Sequence, residues 1–522
     1  VTSVPEIFVV LVLAAIPLVA LAKRVDISYP IVLVIGGLVL GFVPHLPAVQ
    51  LDPDLVLLIF LPPLLYWESI TAPTDVMLEN AGQIGVLAIG LVVATTVAVA
   101  VTAHALVPGM SWAVAFVLGA IVSPTDELAA VPVLEHFRLP RHLIAIIDGE
   151  SLLNDATALV LYATAIAAAT TGVFLLGHTL LQMLVTVIGS LAIGYLVGLI
   201  AVALWRRITD VQLQGVISVI VPFLAYLPAE KLGMSGVLAV VVAGVSINRQ
   251  TARVLTAASR TQIVGFWNTL VFLANAILFL LVGLQLHRVA DTAFSHHPWG
   301  AVVGYAIAVN VVIVVVRISL ALLAEYAPTL APPDHAAPNW KNALIAAWSG
   351  LCGAVSLAAA LAIPIALPDG SPFPYRDLIV FVTFSVILVT LVGGGLTLPA
   401  LVRSLHVVGG TEEQDEVRLA RVRSAQAAID RIDELAAEGR VDDEHAARLR
   451  ELYAHKIELA SGTADADGAE HAARHVDVER EIIAAQRRAI IGLREDGAID
   501  NVAFRVVQAE LDAASQRGEL KD

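Results

Sequence analysis

The sequence predicts an all-α membrane protein: about 13 transmembrane helices followed by a soluble helical tail. Three observations carry that prediction. Of 522 residues, 58% are hydrophobic and 15% charged, with a mean hydropathy of +0.82; an ordinary soluble domain carries about 25% charged residues. The apolar residues gather into stretches long enough to cross a bilayer, which takes about 20 residues. The charge is also partitioned, since 42 of the 77 Lys, Arg, Asp and Glu residues fall within 411–522. That places a boundary near Gly409-Gly410, with a membrane domain at 1–410 and a tail at 411–522. The net charge of −15 has the wrong sign for a nucleic-acid partner. One cysteine, Cys352, allows neither an intramolecular disulfide nor a cysteine-based zinc site.

In order, the apolar stretches lie near 4–22, 29–44, 54–67, 82–107, 112–134, 143–170, 174–205, 213–229, 233–247, 264–286, 299–326, 341–366 and 377–404. The second, third and ninth are short. The first is followed, not preceded, by Lys23-Arg24, which reads as a span and not as a cleavable signal peptide. An odd number of spans puts the termini on opposite sides, and basic residues orient them. With the tail inside, the inner connections hold Lys23, Arg24, Arg138, Arg141, Arg206, Arg207, Arg249, Arg253, Arg260, Lys341 and Arg403. The outer ones hold Lys231, Arg288 and Arg376. The bias predicts an outer N-terminus and a cytoplasmic tail.

Charged groups inside a span cost a few kcal/mol or more and mark ion pathways or tight pairs. Those that matter are Asp126, Glu127, Asp148, Glu150, Asp155 and Arg317; Glu68, at a span end, reads equally as interfacial or functional. Asp126 ends the run Gly119-Ala-Ile-Val-Ser-Pro-Thr-Asp126. Pro124 removes a backbone donor and disfavours the helical conformation at Ser123. Unwound backbone at membrane depth is tolerated where it is buried in protein or lines a wet cavity. Its free carbonyls can coordinate a cation, and Asp126 can neutralise it. In the next span, Asp148-Gly-Glu150-Ser151-Leu-Leu-Asn154-Asp155-Ala-Thr157, helical spacing puts Ser151 and Asp155 on one face and Glu150 and Asn154 on its neighbour. Such a gathering of oxygens suits a hard cation; an interhelical hydrogen-bond network is the other reading. Arg317, within Val314-Val-Val-Arg317-Ile-Ser319, needs a carboxylate, and Glu150 is left once Asp126 and Asp155 are assigned to the cation. Trp348-Ser-Gly350-Leu-Cys352-Gly353-Ala-Val-Ser356 marks a second interrupted span, the twelfth, against the fifth. Interruptions at corresponding places in two halves point to an inverted-repeat transporter with a midplane site, although small residues also occur for helix packing alone.

Gly149-Glu-Ser-Leu-Leu-Asn-Asp155-Ala, Ser123-Pro-Thr-Asp126 and Phe60-Leu-Pro-Pro-Leu-Leu65 resemble the monovalent cation:proton antiporter family, the branch with bacterial Na+/H+ antiporters and animal sodium/proton exchangers. The resemblance covers roughly 5–405. It implies an inverted-repeat antiporter fold, with a dimerisation domain and a core in which two discontinuous helices cross, and hence a homodimer in the lipid bilayer of a bacterial plasma membrane. It also implies Na+ (or Li+/K+) ligands at Asp126, Asp155, Ser151 and the Thr125 carbonyl, and a structural ion pair of Glu150 with Arg317. Asn154 beside Asp155 is similar to the electroneutral exchangers. One departure stands out: where the family has Gly-Leu-Arg-Gly-Ala, this chain has Cys352, so a cationic anchor is expected to be absent from the twelfth-span break.

In the tail, Val422, Ala425, Ile429, Ile432 and Ala436 form a helical apolar stripe that Gly439 ends, and further helices fit 442–460, 470–495 and 499–516. His445, His455, His471 and His475 read as surface residues. The function expected is one-for-one exchange of Na+ (or Li+/K+) for H+ by alternating access, serving pH homeostasis, without enzymatic activity or a cofactor. The alternatives are a cation channel, for which no selectivity-filter loop is seen, a K+-selective exchanger regulated by the tail, and a membrane-embedded hydrolase, which lacks a nucleophile beside a membrane histidine.

Overall fold

In hydrocarbon every backbone N–H and C=O has to find a partner inside the chain, and a helix supplies those partners within the segment itself. The apolar stretches accordingly fold as helices. The computed structural model describes residues 4–25, 27–42, 53–125, 139–171, 176–296, 298–326, 339–350, 353–367, 369–407 and 412–461, together with Leu134, Phe137 and Gln486. Within them run α1 (Val4–Val25), α2 (Tyr29–Gly41), α3 (Pro53–Thr71), the short α4 (Thr74–Glu79), α5 (Ala81–Leu106) and α6 (Trp112–Val122). Next come α7 (Arg141–Thr171), α8 (Leu176–Arg207), α9 (Val211–Lys231), α10 (Gly236–Val254), α11 (Ala257–His296) and α12 (Trp299–Tyr326). The half-length α13 (Trp340–Ser349) and α14 (Ala354–Leu361) precede α15 (Arg376–Leu405). No strand occurs among the described residues; Ala366 and Pro372 pair as an isolated bridge.

Among the described residues, seven helices carry segments long and apolar enough to cross a membrane, including α5, α9, α12 and α15 over their whole lengths. Two elements differ from the sequence reading. The stretch at 264–286 is the middle of a 40-residue helix, because polar residues at both ends continue the hydrogen-bonded ladder beyond the apolar part. The stretch at 112–134 is helical only as far as Val122 among its described residues, apart from Leu134. Both α5 and α15 loosen to a wider helical turn, at Val86–Leu91 and Leu388–Gly394.

The buried side chains form two principal clusters. One joins α5, α6, α7, α12, α14 and α15 with α2 and the later half of α11. The other joins α3, α8, α9 and α10 with Ile263 and Trp267 from the earlier half of α11. Helices α2 and α11 cross with no side chain between them: a Cβ on Gly37 would lie 2.2 Å from the Leu280 carbonyl oxygen, and one on Gly283 would lie 2.0 Å from that of Val34. Only glycine fits at either place.

By internal contacts the chain divides into Val1–Gly409 and Gly410–Asp522. The second unit contains α16 (Glu412–Ala437) and α17 (Asp443–Ser461), packed as a hairpin. Ala425 and Ile432 of the expected stripe are buried, and Asp433 pairs with Arg450 at 2.5 Å on the exposed side. The helices expected at 470–495 and 499–516, with His471 and His475, lie outside the described residues apart from Gln486, which is helical.

Candidate functional site

Helix α6 opens with the Ser111 side chain accepting a hydrogen bond from the Val114 N–H and stops at Val122. Of the two effects expected of Pro124, a lost donor and a non-helical Ser123, the structure corrects the second: Ser123 keeps helical dihedral angles (φ −82°, ψ −34°). The ladder ends because Pro124 has no N–H to continue it. The Ser123 hydroxyl turns back and donates to the Ala120 carbonyl at 3.0 Å, satisfying one acceptor at the open helix end.

Thr125, buried just past the proline, is where side chains of α7 converge. Its carbonyl oxygen accepts hydrogen bonds from Ser151 Oγ at 3.2 Å and Asn154 Nδ2 at 3.1 Å. Its hydroxyl donates to Glu150 Oε1 at 3.1 Å and lies 2.6 Å from Asn154 Nδ2. The two faces anticipated from helical spacing thus reach one backbone segment. Asp155, one turn beyond Ser151, is buried with them, at 7% exposure. Asp148 on the same helix is half-buried.

Glu150 Oε1 also meets Arg317 Nη2 at 2.8 Å, both side chains being buried. The guanidinium extends further: Nε donates to the Ala347 carbonyl at 2.6 Å and Nη2 lies 3.5 Å from that of Ala346. Both carbonyls, that of Ala346 also accepting from the Ser349 hydroxyl at 3.0 Å, lie at the C-terminal end of α13, where the partial negative charge of a helix end attracts a cation. Space for it comes from Gly350, since a Cβ there would sit 1.5 Å from Nη2 and 1.9 Å from Cζ. Through Glu150, one arginine therefore connects the first helix break, at Thr125, to the second, at Gly350.

This second role of Arg317 was missed from sequence, where backbone acceptors leave no signature and Gly350 reads only as an interruption. The anchor expected to be absent at Cys352 is a separate matter, since that position lies outside the described residues, as do Asp126 and Glu127. Chemically, the described part sets the Thr125 carbonyl against a hydroxyl, an amide and a buried carboxylate from two turns of α7. Those are oxygen groups for a hard cation and a carboxylate that can take a proton.

Comparison with known proteins follows the same line. Residues 8–404 match the family model described as sodium/hydrogen exchanger, transmembrane. The chain is 36% identical to a Mycobacterium bovis protein named as an uncharacterised Na+/H+ exchanger, over 97% of this chain and 94% of that protein. It is 31% identical to a sodium, potassium, lithium and rubidium/H+ antiporter of Bacillus pumilus, over 72% of this chain and 58% of that one. In fold it is similar to the sodium proton antiporter MjNhaP1 of Methanocaldococcus jannaschii, with a TM-score of 0.59 at 18% identity, covering 76% of this chain and 97% of that one. The chain belongs to the sodium/hydrogen exchanger family, whose members are transmembrane transporters.

Proposed function

We propose that this protein exchanges Na+ (or Li+/K+) for H+, one for one, by alternating access. The observation that carries the reading is the Thr125 carbonyl at a helix break, held by Ser151 and Asn154 beside buried Asp155. In this reading the cation is bound by Asp155, Asp126, the Ser151 hydroxyl and the Thr125 carbonyl, while Asn154 fixes the broken backbone. Two carboxylates sharing a dry site do not both ionise cheaply, so either a proton or a cation supplies the missing positive charge and each displaces the other. If only occupied carriers cross, exchange is obligatory. Asn154 cannot carry a second proton, which supports the one-for-one ratio. The Bacillus pumilus relative, named for four alkali cations, supports a site of broad monovalent selectivity.

The surrounding architecture belongs to the same proposal. Thirteen crossings form two inverted repeats, with the fifth and twelfth spans as the discontinuous crossing pair. The N-terminus faces out, the tail is cytoplasmic and regulatory, and two copies pair in a bacterial plasma membrane, serving pH homeostasis.

The test is exchange in vesicles. An imposed Na+ gradient should drive proton movement with saturation and without unitary currents, Li+ and K+ being tried in turn. Asp155→Asn should abolish exchange while leaving the protein folded, since the amide keeps the shape and loses the charge. Apparent cation affinity should fall as pH drops. Exchange at the wild-type rate by Asp155→Asn, or an affinity independent of pH, would overturn the mechanism.

A further inference from the structure

Helix α11 is buried on every side from Ala274 to Leu284. Its earlier residues Ile263 and Trp267 belong to the apolar cluster of α3, α8, α9 and α10, and its later residues Ala276, Phe279 and Val282 belong to the other cluster. Asn275 stands where the helix passes from one to the other. It is 1% exposed, and neither its Nδ2 nor its Oδ1 has a hydrogen-bond partner among the described residues. A primary amide offers two donors and a doubly accepting oxygen; here none is used. The flanking Ala274 and Leu278 pack against Leu64 of α3 and Ala358 of α14, an apolar contact of small and aliphatic groups.

The same face of α11 continues toward its N-terminus through Phe272 and Asn268, at three and seven residues' remove. The Phe272 ring is 41% exposed and leans on Tyr29 at the start of α2, with centroids 5.3 Å apart and planes at 53°. Asn268 is exposed. The face therefore runs from an open amide, past a half-covered phenyl ring, to a sealed amide.

A buried amide without partners destabilises the conformation that seals it, relative to any conformation in which water reaches it. Leucine would fill this position in a static apolar seam at no such cost. We propose that Asn275 is a positioning residue of the transport cycle, the polar element of a gate plugged by Phe272: sealed in this conformation, and hydrated when α11 and α14 separate. This deepens the exchange reading and rests on it. The amide carries no charge, so it eases the passage of a hydrated cation without holding it, and its unmet hydrogen bonds keep the sealed state from becoming too stable to leave.

Two measurements test this in reconstituted full-length protein. Asn275→Leu should raise thermal stability and lower the maximal exchange rate at least tenfold, a pairing that simple structural damage would not produce. In a Cys352→Ser background, Asn275→Cys should react with a membrane-impermeant methanethiosulfonate at least tenfold more slowly than Asn268→Cys at rest. Labelling should accelerate when Na+ and a pH gradient set the protein cycling. Wild-type exchange by Asn275→Leu, or labelling at position 275 that is indifferent to cycling, would overturn the proposal; the cysteine arm decides it even if the leucine variant misfolds. Failure of the exchange reading shows separately, as absence of any cation-driven proton movement by the unsubstituted protein in the same vesicles.

Discussion

Arg317 shows how much a single buried side chain can organise. It meets the Glu150 carboxylate, the Ala347 carbonyl and, at the limit of hydrogen bonding, that of Ala346. Removing one member of a buried ion pair strands the other and typically costs about 3–5 kcal/mol, whereas replacing both with neutral groups costs far less. Arg317→Met and Glu150→Gln should each lower thermal stability and exchange, and the double variant should recover part of the loss. Strictly additive damage in that cycle would remove the coupling. Arg317→Lys should fail to rescue, because one ammonium lacks the planar fork that spans a carboxylate and a carbonyl. The Glu150 contact was legible in the sequence, since a mid-span arginine demands a carboxylate and few were left. Its carbonyl contacts were not, since every residue carries a carbonyl and the sequence does not say which are left open.

Helix existence was the most legible feature, because hydrophobic length alone marks it. Each long apolar stretch contains a helix, and the stretch at 341–366 resolves into α13 and α14, with Gly350 and Gly353 between. Ends were less legible. Apolar length marks hydrocarbon, not hydrogen bonding, so the true extent of α11 could not be read from it. At the first break the proline was the correct signal, and of its two expected effects the missing donor is the one that acts, since Ser123 stays helical. That distinction makes a prediction. Pro124→Ala restores an N–H and should let α6 continue, drawing the Thr125 carbonyl into the helix and away from Ser151 and Asn154. Stability should hold or rise while exchange falls by an order of magnitude or more. Exchange at the wild-type rate would mean that the break does not depend on the proline.

The membrane unit has two principal apolar clusters, which α7 and α11 share, an arrangement suited to two bodies that move against each other about common helices. Pairing of two copies is expected through the first several spans and α8, whose Leu184, Ile188, Tyr195 and Leu199 are exposed in the single chain. Cysteines placed along that face should crosslink in vesicles; a stable monomer exchanging at full rate would refute the pairing. Sequence could not have located the seam between the clusters, because a buried leucine looks the same whichever neighbour it meets. The fit of Arg317 into the hollow above Gly350 has a bearing on how such chains can vary. The three atoms nearest to a methyl group at position 350 all belong to Arg317. Gly350→Ala should therefore disable the protein while arginine is present and do little further harm once Arg317 has been replaced by a small residue. Inherited change at these two sites then has a direction: the arginine must be lost before the glycine is free to grow, and a chain that has enlarged the glycine cannot regain the arginine in one step.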